Sequence, residues 1–172
     1  MTTILLARHG ETQWNRDGRY QGHADPPLND LGRKQAVTLA ESLDDETLDA
    51  VYSSDLCRAH ETAEIVGSRL GLPVERDAGL REIAVGSWQG LTRAERDGLQ
   101  WDGESYEEHR QRVLEALHRI ADRHPDGRVL VVAHGGTVRR AQEVVLGERP
   151  PEIHHCGVWK VAVEDGNLRG LD

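Results

Sequence analysis

Val129-Leu130-Val131-Val132-Ala133-His134-Gly135-Gly136 is an unbroken apolar run that stops abruptly on a histidine and two glycines. A run without polar alternation predicts a strand buried on both faces, because a half-exposed strand alternates polar and apolar residues. A helix is expected from Thr137 to Leu146, so the segment reads strand, polar turn, helix. Ile4-Leu5-Leu6-Ala7-Arg8-His9-Gly10 repeats the opening of that pattern. Outward from these two runs, Asn29 opens a helix whose Leu31, Ala36, Leu39, Ala40 and Leu43 fall at helical spacing. Ala50-Val51-Tyr52 is a further strand, and Ser53, Ser54 or Asp55 caps a helix that runs through Arg58 and Ala63 to Leu70, with Gly71 as its stop. Val74 falls in a short strand, and Gly79 to Gly90 reads as a mixed loop holding Glu82 and Trp88. From Glu104 to Arg123, Val113, Leu114, Leu117, Ile120 and Ala121 recur every three or four residues as one face of a helix, which Pro125-Asp126-Gly127 breaks. Val158 to Val163 alternates as a strand, and Glu164-Asp165-Gly166-Asn167 turns it into a short last one.

Apolar strands alternating with amphipathic helices imply an α/β domain with a mostly parallel central sheet covered on both faces. In such sheets ligands gather beyond the carboxyl ends of the strands. That edge is where the pattern puts Arg8-His9-Gly10, Ser53 to Arg58 and His134-Gly135-Gly136.

The 172 residues suit one domain, residues 1–172, with a core large enough to need no disulfide. Lys and Arg number 21 against 30 Asp and Glu, a net charge of −9, which opposes broad contact with a phosphate backbone or an anionic membrane. Neither a nucleic-acid nor a membrane partner is expected. Cys57 and Cys156 form no CxxC pair, and the amino-terminal residues lack a basic segment followed by a long apolar one, so a reducing, cytoplasmic setting is the expectation.

Two imidazoles at the ends of two buried strands, each followed by glycine, can project into one crevice. Arg8 adds a planar donor fork, and Arg58 in the first turn of its helix points to the same edge, so a phosphate fits between them. A neutral imidazole nitrogen can attack phosphorus while the guanidiniums stabilise charge on the phosphoryl oxygens, with no metal or other cofactor. A carboxylic acid must then protonate the leaving group and later activate water, and Glu82 is the candidate. Other phosphatase chemistries lack their residues: no Cys-x5-Arg loop, no Asp-x-Asp pair and no GxxxxGK[ST] loop occurs. His154-His155-Cys156 is not expected to hold a metal, since adjacent side chains rarely converge on one ion.

Leu6-Ala7-Arg8-His9-Gly10-Glu11-Thr12, Asn15, Gly18 to Gly22 and Pro27 to Gly32 resemble the opening of the histidine phosphatase superfamily, in its phosphoglycerate mutase-like branch. Ser53 to Ala63, Leu80 to Ile83 with Gly86 to Gly90, Gly103-Glu104-Ser105 and Val132 to Gly136 resemble later blocks in the family's order. The resemblance implies a three-layer α/β/α sandwich, with His9 as phosphorylated nucleophile and Arg8 and Arg58 on the phosphoryl oxygens. It implies His134 as a further donor and Glu82 as proton donor. Asn15, Gln21, Gly22 and Gly135 match positions lining the phosphate or substrate pocket.

The chain departs from relatives at Trp88-Gln89-Gly90, at His154-His155-Cys156-Gly157, and in the short stretch Leu91 to Gly103 where a long lid insertion is common. A mutase must keep water from its phosphohistidine, so a shortened lid favours hydrolysis of a small phosphate monoester. The alternatives are a phosphoglycerate mutase and a phospholigand-binding module without turnover. Trp88, Trp101 and Tyr106 either line the mouth or fill packing space in a chain without Phe. The charged helix start, Glu104 to Arg112, reads as a solvated face with pairs such as Glu108 to Arg112.

Overall fold

Each apolar run becomes a strand at the depth its composition demands. The computed structural model describes residues 1–171. In chain order its elements are β1 (Thr2–Arg8), α1 (Gln13–Arg16), α2 (Asp30–Ser42), β2 (Ala50–Ser53), α3 (Cys57–Leu70), β3 (Val74–Arg76), α4 (Tyr106–Arg123), β4 (Arg128–Ala133), α5 (Gly135–Leu146), β5 (Val158–Glu164) and β6 (Asn167–Gly170). The sheet order is β3-β2-β4-β1-β5-β6. β3, β2, β4 and β1 run parallel, and β5 joins β1 antiparallel before β6 turns back on it. The expected mostly parallel sheet is therefore present, closed on one side by a hairpin.

Side chains of a strand alternate between faces, and the two faces of this sheet are both buried. Ile4, Leu6, Val129, Val131 and Ala133 pack against Val113, Leu117 and Ile120 of α4 and Val138 and Ala141 of α5. Leu5, Ala7, Leu130 and Val132 pack on the other side against Leu39 and Ala40 of α2 and Ala59, Ala63 and Val66 of α3. Three layers result, α/β/α. Each fully buried Leu or Ile contributes about 1.5–3 kcal/mol of transfer free energy, so the two central strands anchor the molecule. Among the described residues no helix is long and apolar enough to cross a membrane.

The helix starts differ from local expectation. α3 begins after Leu56, and no side chain of Ser53, Ser54 or Asp55 caps it. Its first free amide, Cys57 N–H, instead donates to Asp25 Oδ1 at 2.6 Å, a carboxylate 32 residues upstream that the folded chain delivers. α5 begins at Gly135, two residues earlier than the apolar period indicates. The loop after β1 holds α1, which the sequence reading passed over. Thr12 and Asn15 close a capping box there.

Candidate active site

Strand register brings the site together. Arg8 pairs with Ala133, and His9 N–H donates to Ala133 O at 2.9 Å, so the residues that follow β1 and β4 emerge side by side. The His9 and His134 rings lie with centroids 5.2 Å apart, edge to face. Both are buried.

His9 Nδ1 lies 2.6 Å from the carbonyl oxygen of Gly10. A carbonyl only accepts, so Nδ1 carries the proton and Nε2 of the neutral ring keeps its lone pair. Burial first, then Arg58 and Arg8, pulls the His9 pKa well below its ordinary 6.5. The ring is thus neutral and nucleophilic at neutral pH. Burial, then Arg58, does the same to His134. His155, whose ring centroid is 6.0 Å from that of His9, is pulled down to about 4, chiefly by burial.

These depressed histidines make stability depend on pH. Below about 6.5 the unfolded chain takes up protons that the folded sites refuse, so their contribution is complete above that pH and is lost as pH falls through the folded values. The melting temperature is expected to drop between pH 7 and pH 5, and to drop less in His155→Asn, which removes one such group. Calorimetric scans of both proteins across that interval check it.

The two predicted arginines reach the same edge from different elements. Arg58, in the first turn of α3, is 1% exposed. It donates through Nη1 to Ala24 O at 2.7 Å and through Nη2 to Gly22 O at 2.9 Å, while its Nε is buried without a partner. Burial lowers its pKa to about 10, and it stays charged at neutral pH. Arg8 donates to Ile153 O at 2.8 Å and pairs with Glu152 at 3.0 Å.

Glu82 lies in the loop after β3, its carboxylate held at both ends: Oε1 accepts from Ile83 N–H and Oε2 from Gly136 N–H, each at 2.9 Å. A Cβ at residue 136 would collide with Oε1, so glycine there lets the helix start approach the acid. The backbone of Glu82 is fixed too, its carbonyl accepting from His23 Nε2 at 2.8 Å and from Arg112 at 3.3 Å. Arg112 corrects the solvated-face reading of early α4. It points inward to Glu104, at 2.7 and 2.9 Å, and to the carbonyls of Gly79 and Arg81, because the loop carrying Glu82 needs donors for its unpaired carbonyls. Glu108 closes a capping box with Ser105 instead of pairing with Arg112.

A cleft of about 840 Å³ opens here; Arg8, His9, Arg58 and Glu82 line it, while His134, expected in the same pocket, is fully buried and not among the lining residues. Asn15, Gln21, Gly22 and Gly135 line it as well. Asn15 Oδ1 accepts from Thr12 N–H at 3.0 Å and Gln21 Oε1 from the Thr12 hydroxyl at 2.7 Å, which leaves both amide NH₂ groups free to donate. Thr12, the organiser of both amides, escaped the sequence reading, although its place three residues before Asn15 is an N-cap signal. Gly22 has φ +53°, and a Cβ there would press on Val85 Cγ2 at 2.6 Å.

Trp88, Trp101 and Tyr106 line the cleft and also pack on one another, so both readings of them hold. Arg93, Arg96, Arg139, Arg140 and Arg149 also line the cleft, with Arg139 paired to Glu152 at 3.4 Å and Arg140 to Glu143 at 2.9 Å. These arginines come from two separate stretches, Arg93 to Arg96 and Arg139 to Arg149, which only the fold brings to one cleft. His155 lies beside His9 rather than in a ligand cluster. Among the described residues no group of three or more His, Cys, Asp or Glu is arranged to hold a metal ion.

The family model for the histidine phosphatase superfamily (branch 1) matches residues 4–168. The chain belongs to that superfamily. This histidine phosphatase is 41% identical over 159 residues to Phosphoglycerate mutase-like protein 4 of Arabidopsis thaliana, a match covering 81% of the chain and 69% of the relative. It is also 41% identical over 158 residues to a Metal-independent phosphoserine phosphatase of the same plant, covering 81% of the chain and 66% of the relative. The chain thus spans about two thirds of the length of these two relatives. Among solved structures it is similar to Bacillus stearothermophilus YhfR, with a TM-score of 0.92 at 34% identity, covering 99% of this chain and 95% of that one. The histidine phosphatase fold thereby agrees with the layered architecture read from its strands.

Proposed function

We propose that this histidine phosphatase is a metal-independent phosphomonoesterase that works through a phosphohistidine at His9. The observation that carries the reading is the His9 tautomer: the proton on Nδ1 is held by Gly10 O at 2.6 Å, which leaves the Nε2 lone pair for phosphorus. In the first step Nε2 bonds to phosphorus as the ester P–O bond breaks, and the leaving alkoxide takes a proton from Glu82. Arg8 and Arg58 offset the charge on the phosphoryl oxygens, in a pocket where little water screens them. In the second step the Glu82 carboxylate takes a proton from water, whose oxygen bonds to phosphorus as the P–N bond breaks and inorganic phosphate leaves. Asn15, Gln21, Gly22 and Gly135 line the substrate side.

The substrate class follows from the cleft. Arg93 and Arg96 line the same cleft as the groups assigned to the transferring phosphate, which supports a small phosphomonoester with a second anionic group. A phosphoserine-type ester fits that description, as the name of one relative suggests. The mutase-like name of the other supports a second reading, an isomerase, which a primer-dependent conversion of 3- to 2-phosphoglycerate would reveal.

Glu82→Gln separates the acid from the nucleophile. Its kcat on an alkyl phosphate is expected to fall about 10²–10⁴-fold, and the first-step burst on an aryl phosphate, whose leaving group needs no proton, to change little. Rapid-quench kinetics on both esters measure it, and equal losses of the burst would remove Glu82 from the acid role.

A further inference from the structure

Ser54 has no part in the mechanism above, yet it is fully buried beside the second histidine. Its amide donates to Val132 O at 3.0 Å, extending the β2–β4 ladder by one rung, and that register sets its hydroxyl next to the residue following β4. Ser54 Oγ lies 2.9 Å from His134 Nε2. Ser53, one residue earlier, lies 3.1 Å from His60 Nδ1 instead, so it is Ser54 alone of the pair that meets the catalytic edge.

A hydroxyl has one proton to give and two lone pairs to accept with. Leu56 N–H already donates to Ser54 Oγ, at 3.3 Å. Were His134 Nε2–H to donate as well, both the Ser54 proton and the Nδ1 lone pair would be buried without a partner, whereas a proton on Nδ1 leaves one buried group unpaired, at about 1–3 kcal/mol for each. The proton is satisfied if it goes to a bare Nε2. His134 must then carry its own proton on Nδ1, and that atom is buried with no protein partner.

The consequence is a pair of rings, 5.2 Å apart between centroids, that share the Nδ1–H tautomer but have different nitrogens left without a protein partner. His9 offers a lone pair at Nε2, suited to electrophilic phosphorus, and His134 offers an N–H at Nδ1, suited to a phosphoryl oxygen. The reverse tautomer of His134 would set a second lone pair against an oxygen that can only accept.

We propose that Ser54 is a positioning residue that fixes His134 as the Nδ1–H tautomer and so makes it a hydrogen-bond donor to the transferring phosphoryl group. The first half stands on hydrogen-bond geometry alone; the second rests on the phosphatase reading.

Long-range proton–nitrogen correlation spectra of histidine-labelled protein distinguish the two tautomers directly. The whole chain is expected to show His134 protonated on Nδ1, and Ser54→Ala to shift that signal toward Nε2–H and lower kcat/KM about 100-fold, as loss of one preorganised donor does. Ser54→Thr, which keeps the hydroxyl, is expected to keep tautomer and rate. An Nε2–H signal in the unmodified protein, or an unchanged tautomer in a folded Ser54→Ala, overturns the proposal. If Ser54→Ala does not fold, the unmodified spectrum and Ser54→Thr still decide. A shifted tautomer with undiminished kcat/KM sinks the donor role alone. Turnover surviving in His9→Ala would sink the phosphatase reading without touching the spectrum.

Discussion

His9→Ala is expected to lower kcat on a generic aryl phosphate by about 10⁴-fold or more while leaving the protein folded and able to bind inorganic phosphate. An aryl phosphate has a good leaving group, so no proton donor limits the first step and the rate reports the nucleophile. Removing the imidazole deletes the one lone pair that Gly10 O frees for attack. Arg8, Arg58 and His134 remain, held by their own partners, and are expected to keep anion affinity. The loss should therefore appear in kcat, with phosphate inhibition nearly unchanged. Steady-state assays with phosphate as competitor, beside a thermal melt, make the measurement. A variant that turns over within tenfold of the unmodified enzyme would end the covalent mechanism.

The second large effect falls at Arg58. Arg58→Ala is expected to cost about 10³-fold in kcat/KM, because a buried guanidinium is preorganised for developing charge and reorganises little as it forms. It is also expected to cost stability. The carbonyls of Gly22 and Ala24 lose charge-assisted donors at 2.9 and 2.7 Å, and leaving them unpaired costs about 1–3 kcal/mol. Arg58→Lys keeps a charge but not the fork that spans two carbonyls, so it should recover part of the rate and little of the stability. Kinetics paired with urea midpoints separate the two. Unchanged kcat/KM in Arg58→Ala would remove it from phosphoryl binding.

How much of this was legible in the chain depends on the range of the forces involved. The runs around Leu5 and Val131 declared themselves as buried strands because burial on two faces leaves no polar position, and the helix through Val113 and Leu117 declared itself by period. Arg8, His9, Arg58 and Glu82, which the fold gathers around one cleft, stand out in the chain because chemistry-bearing residues contrast with apolar neighbours, and because ordered blocks resemble a family. The start of α3 was misread because its cap is Asp25, a group that local sequence cannot see. Arg112 was misread for the same reason: its partners are loop carbonyls, and backbone groups leave no signature in residue type.

Amino-acid order by itself determined the layers, the edge at which ligands collect and the residue types that meet there, since hydrophobic period and turn chemistry are local properties. Tertiary structure decided which nitrogen of His9 faces the Gly10 carbonyl, what fixes the Glu82 carboxylate and which arginines line the cleft. Those outcomes depend on contacts a few ångströms long, the last two between segments tens of residues apart, and only strand register and helix packing set such distances.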